Sequence, residues 1–207
     1  IVFLLTFFIP FLAYGLVSDD FSTSSLNTGL WTVVDAVGDG NVSMSGTQVK
    51  LSVPPGTSHD VWSSGNDALR IMQPTNDEDF EIEVKFESGV SEKYQLQGLL
   101  VEESPGNFLR FDFYTDGSST RLFAASFTNG SPSVKMNGSV LPKGVEPLYL
   151  RVTRAGDQWT QSYSQDGLSW TTHTSFSFAM STTSVGVFAG NAGGDPTHTA
   201  VVDYFFN

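Results

Sequence analysis

The 207 residues carry 22 acidic against 10 basic side chains, giving a formal net charge of −12 and a pI near 4.4. So thin a supply of cations excludes a nucleic-acid backbone or an anionic membrane surface as partner, because both would be repelled overall. Cysteine is absent, which removes a disulfide framework and thiolate metal sites, and the length allows one large domain with a substantial core but not two independent ones.

The chain opens on Ile1 to Val17, IVFLLTFFIPFLAYGLV, which contains no charged residue. Its length lies between the apolar region of a signal peptide and a minimal membrane span, and Pro10 would interrupt a helix midway. Ala13-Tyr14-Gly15 sets small residues where a signal peptidase cuts. A secretory signal over residues 1–16 is the leading reading, a retained membrane anchor the second and a docked strand the third. The folded domain is expected over residues 17–207.

From Ser18 onward, short alternating segments are separated by turn dipeptides, and no stretch sustains a 3.6-residue apolar period. Strands are predicted at Leu30 to Val34, Gln48 to Val53, Ala68 to Gln73, Asp79 to Glu87, Tyr94 to Glu102, Phe108 to Thr115 and Thr120 to Thr128. Others follow at Leu148 to Arg154, Gln158 to Ser164, Thr174 to Phe178, Val185 to Ala189 and Thr199 to Phe206. Asp39-Gly40, Asp116-Gly117, Asn129-Gly130, Asn137-Gly138, Gly156-Asp157 and Asp166-Gly167 supply turns. About a dozen strands implies two sheets.

The faces of these strands differ. Phe80, Ile82, Val84 and Phe86 alternate with Glu81, Glu83, Lys85 and Glu87, and Leu148, Leu150 and Val152 alternate with Tyr149, Arg151 and Thr153, as in strands wet on one side. The segment Asn107 to Phe127 reads as a hairpin in the middle of the other sheet. There Leu109, Phe111 and Phe113 face the core, while Phe108, Arg110, Asp112 and Tyr114 face outward as a mixed polar and aromatic surface. One plain face and one decorated face describe an all-β, two-sheet antiparallel sandwich of the jelly-roll type.

Tyr163-Ser-Gln-Asp-Gly-Leu-Ser-Trp170 resembles a hairpin of the concanavalin A-like lectin/glucanase superfamily. Asp19-Asp20-Phe21, Leu30-Trp31, Gly98-Leu99-Leu100-Val101, Asn107-Phe108-Leu109-Arg110 and Asp203-Tyr204-Phe205 follow that superfamily's order, so the resemblance spans Ser18 to Asn207. It is nearest to laminin-G-like jelly rolls that accompany secreted glycoside hydrolases, including the domain after the propeller in family-43 β-xylosidases, and to related uncharacterised secreted domains. It implies the fold and an extracellular, carbohydrate-related setting, and not by itself catalysis. The Asp166-Gly167 turn makes the Tyr163 to Trp170 hairpin, and Trp170 is expected to cover one end of the core, with a sugar-stacking platform the alternative role. Asp19, Asp20 and Asp203 would lie on adjacent strands as candidate ligands of a structural calcium, with Asp35 to Asn41 a second candidate loop and turn-capping the alternative role of these aspartates.

A retaining glucanase of this superfamily needs alternate carboxylates about 5–5.5 Å apart in the cleft. Glu81-Ile-Glu83-Val-Lys85-Phe-Glu87 does not supply them and reads as a solvated outer strand. Gly56-Thr-Ser58-His-Asp60 is half of a serine-hydrolase elbow without its strand-to-helix turn. His59, His173 and His198 lie in separate segments without zinc-ligand spacing. The sequons at Asn41 and Asn137 carry weight only in a glycosylating host.

The leading reading is therefore a secreted, non-catalytic module that binds carbohydrate through Trp62, Arg70, Gln97, Arg110, Asp112, Tyr114 and Arg121. Rings stack on the apolar faces of sugars while Arg, Gln and Asp bind hydroxyls. The competing view of the same residues is a satisfied polar layer, with Arg110 paired to Asp112 and Arg70 to Glu102. Two alternative functions stand beside it: a hydrolase or lyase using Glu102 and Asp112, and a structural or adhesive surface domain whose concave face is filled by its own side chains.

Overall fold

Alternating apolar residues need a second layer to cover them, and a computed structural model shows how the chain provides it. The structure describes residues 15–63 and 65–207. The expectation for the leading apolar segment lies outside these residues except at its last positions, where Leu16 packs against the core and Val17 exchanges two hydrogen bonds with the Gln73 amide.

Numbered along the chain, the strands are β1 (Thr32–Val34), β2 (Asn41–Met44), β3 (Val49–Val53), β4 (Val61–Trp62), β5 (Gly65–Asn66), β6 (Leu69–Pro74), β7 (Phe80–Phe86) and β8 (Gln95–Ser104). They continue as β9 (Asn107–Thr115), β10 (Ser119–Thr128), β11 (Ser131–Pro142), β12 (Leu148–Ala155), β13 (Gln158–Ser164), β14 (Thr171–Ser177), β15 (Ser184–Asn191) and β16 (His198–Phe206). Two seven-stranded antiparallel sheets run in the orders β1-β6-β15-β8-β9-β10-β11 and β14-β13-β12-β7-β16-β3-β2, and β4-β5 forms a separate hairpin. This is the expected jelly roll.

The core lies between the sheets. Leu99 and Val101 on β8, Leu109, Phe111 and Phe113 on β9, and Leu122 on β10 are fully buried with Ile82, Val84 and Phe86 on β7 and Leu148, Leu150 and Val152 on β12. Each such side chain contributes roughly 1.5–3 kcal/mol on burial, so the two apolar faces hold the sandwich without a crosslink. The buried indoles of Trp31 and Trp159 donate to Asp19 Oδ2 at 2.8 Å and to the Phe178 carbonyl at 2.9 Å. On the outer face of the second sheet, Glu83 accepts from Arg151 and Tyr204, and Lys85 pairs with Glu87 and Asp203. That is the solvated strand read from the sequence.

Two expectations are corrected. Asn137-Gly138 is no turn, because both residues lie inside β11 opposite Phe123 and Leu122. The glycine is there for close approach: a Cβ would stand 2.7 Å from His173 Cε1 on β14, where the edges of the two sheets meet. Trp170 does not cover the core. It lies on the outer face of the second sheet, with the Arg151 guanidinium 3.8 Å from its ring centroid and Tyr149 edge-on, while Trp159 takes the interior position.

His198 is buried, and its Nε2 lies 3.1 Å from Gln97 Oε1, an acceptor, so that nitrogen carries the proton. Burial pushes its pKa down to about 4. Between that value and the ordinary value of about 6.5, the unfolded chain binds a proton that the folded chain refuses, so stability falls as pH drops through this window. The loss approaches roughly 3 kcal/mol. Urea unfolding at pH 7 and pH 4.5 is expected to show a larger drop for the wild type than for His198→Asn; equal drops would contradict this assignment.

Candidate functional site

The outward row of β9 lies in register with its neighbours: Arg110 is opposite Leu100 and Ala125, Asp112 opposite Gly98 and Phe123, and Tyr114 opposite Leu96 and Arg121. Arg110 donates from Nε and Nη2 to the two oxygens of Asp112 at 2.8 and 2.9 Å, and from Nη1 to the Val61 carbonyl at 2.5 Å. Its guanidinium stands 4.8 Å from the Phe123 centroid, and Asp60 lies 3.8 Å from Nη1. Burial pushes the Asp112 carboxyl up, opposed by the charge and hydrogen bonds of Arg110. A bidentate pair with a hydrogen bond from each guanidinium nitrogen stabilises both buried ions.

The Val61 carbonyl belongs to the β4-β5 hairpin, which folds over the outer face of the first sheet. Val61 is fully buried there in a second apolar cluster with Met72, Leu100, Phe108, Phe127 and Phe188. Trp62 packs edge-on against Phe123 and Phe127 at 5.9 and 6.1 Å. The base of the hairpin is fixed by His59, whose main-chain N–H donates to Asn191 Oδ1 at 2.8 Å and whose Nε2 lies 2.6 Å from Asp39 Oδ1. On its far side Asn66 donates to Glu102, which is paired with Arg70 at 3.1 Å. Burial pushes Glu102 up, again opposed by its arginine.

Beside the hairpin the face remains open as a cavity of about 440 Å³. Leu96, Arg110, Tyr114 and Phe123 contribute from the sheet and Asp60 and Trp62 from the hairpin loop. Tyr94 and Ala192-Gly193 line a further side, and Val134 and Asn137 on β11 complete it. Asn137 Oδ1 accepts from Tyr114 Oη at 2.9 Å and from Arg121 Nε at 2.8 Å.

The structure thus brings Trp62, Arg110 and Tyr114 together at the cavity and places Asp112 directly behind Arg110. Arg121 sits at the rim, engaged with Asn137, Asp116 and Ser139. Arg70 lies beneath the hairpin, donating to the Asn66 and Ala68 carbonyls. Gln97 is on the other side of the sheet, fully buried, with its amide donating to the Ser88 carbonyl and accepting from Ser88 Oγ. Its spacing from Leu99 and Val101, both core residues, is the signal that places it there. Asp60, Tyr94, Phe123, Val134 and Asn137 join the site beyond the residues expected from the sequence. Tyr94 was legible from its spacing to Leu96 and Phe123 from its place opposite Asp112 in the β9-β10 hairpin, whereas the others depend on how the β4-β5 hairpin and β11 fold against the sheet.

The three expected calcium ligands do not form a coordinating set. Asp19 accepts from the Phe21 N–H and the Trp31 indole, Asp20 from the Ser22 N–H, and Asp203 pairs with Lys85. Asp35 caps Gly38 and Gly40. Among the described residues, no three carboxylate or imidazole groups converge on a metal position.

The family model described as "Protein of unknown function (DUF1349)" matches residues 42–205. A comparison with curated proteins found no match. Among solved structures, the chain is similar to the GH43 protein BlXynB of Bacillus licheniformis, with TM-score 0.72 and 17% identity, covering 91% of this chain and 38% of that one. This chain thus corresponds to well under half of that protein. It is also similar to the carbohydrate binding module CBM66 from Bacillus subtilis, with TM-score 0.58 and 12% identity over 84% of this chain and 91% of that one. The catalytic domain of an endo-1,3-β-glucanase (laminarinase) from Thermotoga petrophila gives TM-score 0.66 and 11% identity over 93% and 96%. At these identities the likeness is one of fold.

Arg110→Ala is expected to destabilise the protein by about 3–5 kcal/mol in urea unfolding, because it strands the Asp112 carboxylate in an apolar layer. Arg110→Met combined with Asp112→Leu is expected to lose less than either single change. Additive losses would mean that the two groups do not act as a pair.

Proposed function

We propose that this chain, which belongs to the DUF1349 family, is a secreted, non-catalytic module that binds carbohydrate in the cavity beside the β4-β5 hairpin. The observation that carries this reading is the make-up of the cavity. Aromatic rings of Trp62, Tyr94 and Tyr114 stand beside the Asp60 carboxylate and the Asn137 amide, which is the pairing of apolar planes with hydroxyl-binding groups that a sugar ring requires. The occurrence of the same fold in a carbohydrate binding module and in a laminarinase supports a carbohydrate-related setting.

The non-catalytic part of the reading rests on where the carboxylates lie. Hydrolysis of a glycosidic bond by the common route uses two facing carboxyl groups. Glu102 and Asp112 are each held against a guanidinium and neither lines the cavity, whose one carboxylate is Asp60. The structural or adhesive reading draws on a separate observation, that the hairpin and the cluster beneath it fill part of the outer face of the first sheet with the protein's own side chains.

Thermal unfolding against a panel of soluble glycans tests the proposal. Ligand at about a hundred times its dissociation constant stabilises by roughly 2.7 kcal/mol, or several degrees at about 2–4 °C per kcal/mol for a domain of this size. Tyr114→Ala is expected to weaken the glycan that shifts the wild type by about tenfold or more, whereas Trp170→Ala on the opposite sheet leaves it unchanged. A flat panel would favour the structural reading, and equal effects of the two substitutions would remove the cavity as the site.

A further inference from the structure

Taking carbohydrate binding as its premise, we infer that the cavity receives the terminal residue of a neutral glycan end-on, and not an internal stretch of chain lying across the sheet. A polysaccharide crossing the concave face needs a trough open on both sides of the binding point. Here the side toward β15 and β6 is closed. Val61 is wedged against Phe188 and Leu100, Arg110 ties the Val61 carbonyl down, and Asn66 reaches Glu102 beneath the hairpin. Farther along the strands the face is filled by Phe108 and Phe127, buried and stacked at 4.1 Å.

The remaining sides are lined by ordered side chains. Tyr94 stands against the Ala192-Gly193 turn so closely that a Cβ on Gly193, at φ +64, would lie 2.7 Å from the Tyr94 ring. On the β11 side, Asn137 is held by Tyr114 and Arg121. The volume of about 440 Å³, open to solvent above the sheet, lies toward the lower end of the range of about 300–1,000 Å³ for small-molecule sites. It suits about one or two sugar rings and not a chain.

The chemistry of the lining indicates what that terminal residue is. Arg110, the cation at the cavity, is neutralised by Asp112 with all three nitrogens engaged. The Asp60 carboxylate accepts the Val61 N–H through Oδ1, and among the described residues no donor reaches Oδ2. An acidic sugar would meet this carboxylate inside a protein of net charge −12, and among the described residues lining the cavity the one cation is the paired Arg110, with Lys93 held over the Tyr94 ring, 4.8 Å from its centroid. A neutral ring supplies what the lining lacks. Its hydroxyls donate to Asp60 Oδ2, and its apolar face lies on an aromatic ring. A chain terminus bears a hydroxyl that an internal residue has spent in its linkage, which gives the carboxylate a means of telling the two apart.

The experiment is calorimetric titration of the whole chain with xylo-, β-1,3-gluco-, fructo- and manno-oligosaccharides, each from monosaccharide to hexasaccharide and each also blocked at one end or at both. The inference predicts that at least one series binds with an affinity that changes less than about threefold beyond the disaccharide. Blocking one particular end abolishes that binding, and Asp60→Asn weakens it about tenfold or more. Affinity that climbs with every added unit and survives blocking of both ends would overturn the end-on inference while leaving carbohydrate binding intact. Absence of binding by every series would overturn the carbohydrate reading itself, and the inference with it.

Discussion

One buried ion pair organises the concave face. Arg110 and Asp112 stand two residues apart on β9, on the same side of a central strand, where neither could be left unpaired in an apolar layer. Their two parallel hydrogen bonds satisfy the carboxylate and leave Nη1 to take the Val61 carbonyl. That third bond makes the pair more than a local device, because it pins a hairpin distant in sequence onto the sheet. Together with the Val61 apolar cluster and the anchoring of His59, it sets the position of Trp62, the half-buried Asp60 and the boundary between filled and open surface.

The result is a concave face divided in two. One half is a second apolar core in which Val61, Phe108, Phe127 and Phe188 exclude water. The other half keeps its rings accessible and adds polar groups at its edge. The core between the sheets carries much of the sandwich's apolar burial, and the hairpin covers part of the outer face and shapes the rest. This arrangement distinguishes the present cavity from a plain trough and links its shape to the same bond that orders the hairpin.

The fold was largely legible in the sequence because period-two alternation from Phe80 to Glu87 and from Phe108 to Tyr114 sets which residues face the core, and that depends on no distant contact. The Arg110–Asp112 and Arg70–Glu102 pairs were legible for a related reason, since a charge on a central strand requires a partner. What alternation cannot give is what lies above the face. The covering of Arg70 by the hairpin and the approach of β11 to Tyr114 are tertiary contacts without a local signature. Asn137-Gly138 shows local chemistry overridden: a dipeptide suited to a turn continues a strand because β10 supplies the ladder and His173 needs the space. Gln97 is the opposite case, a residue whose own spacing from Leu99 marked it as inward-facing.

The four tryptophans report on the central claim independently, since Trp31 and Trp159 lie in the core, Trp170 on the outer face of the second sheet and Trp62 at the cavity. The most direct measurement is therefore to follow the four indole N–H resonances by NMR while titrating soluble neutral glycans. The account predicts a saturable shift of the Trp62 resonance with the other three unmoved. A shift of Trp170 in its place, or glycan binding that leaves Trp62 unperturbed, would contradict it.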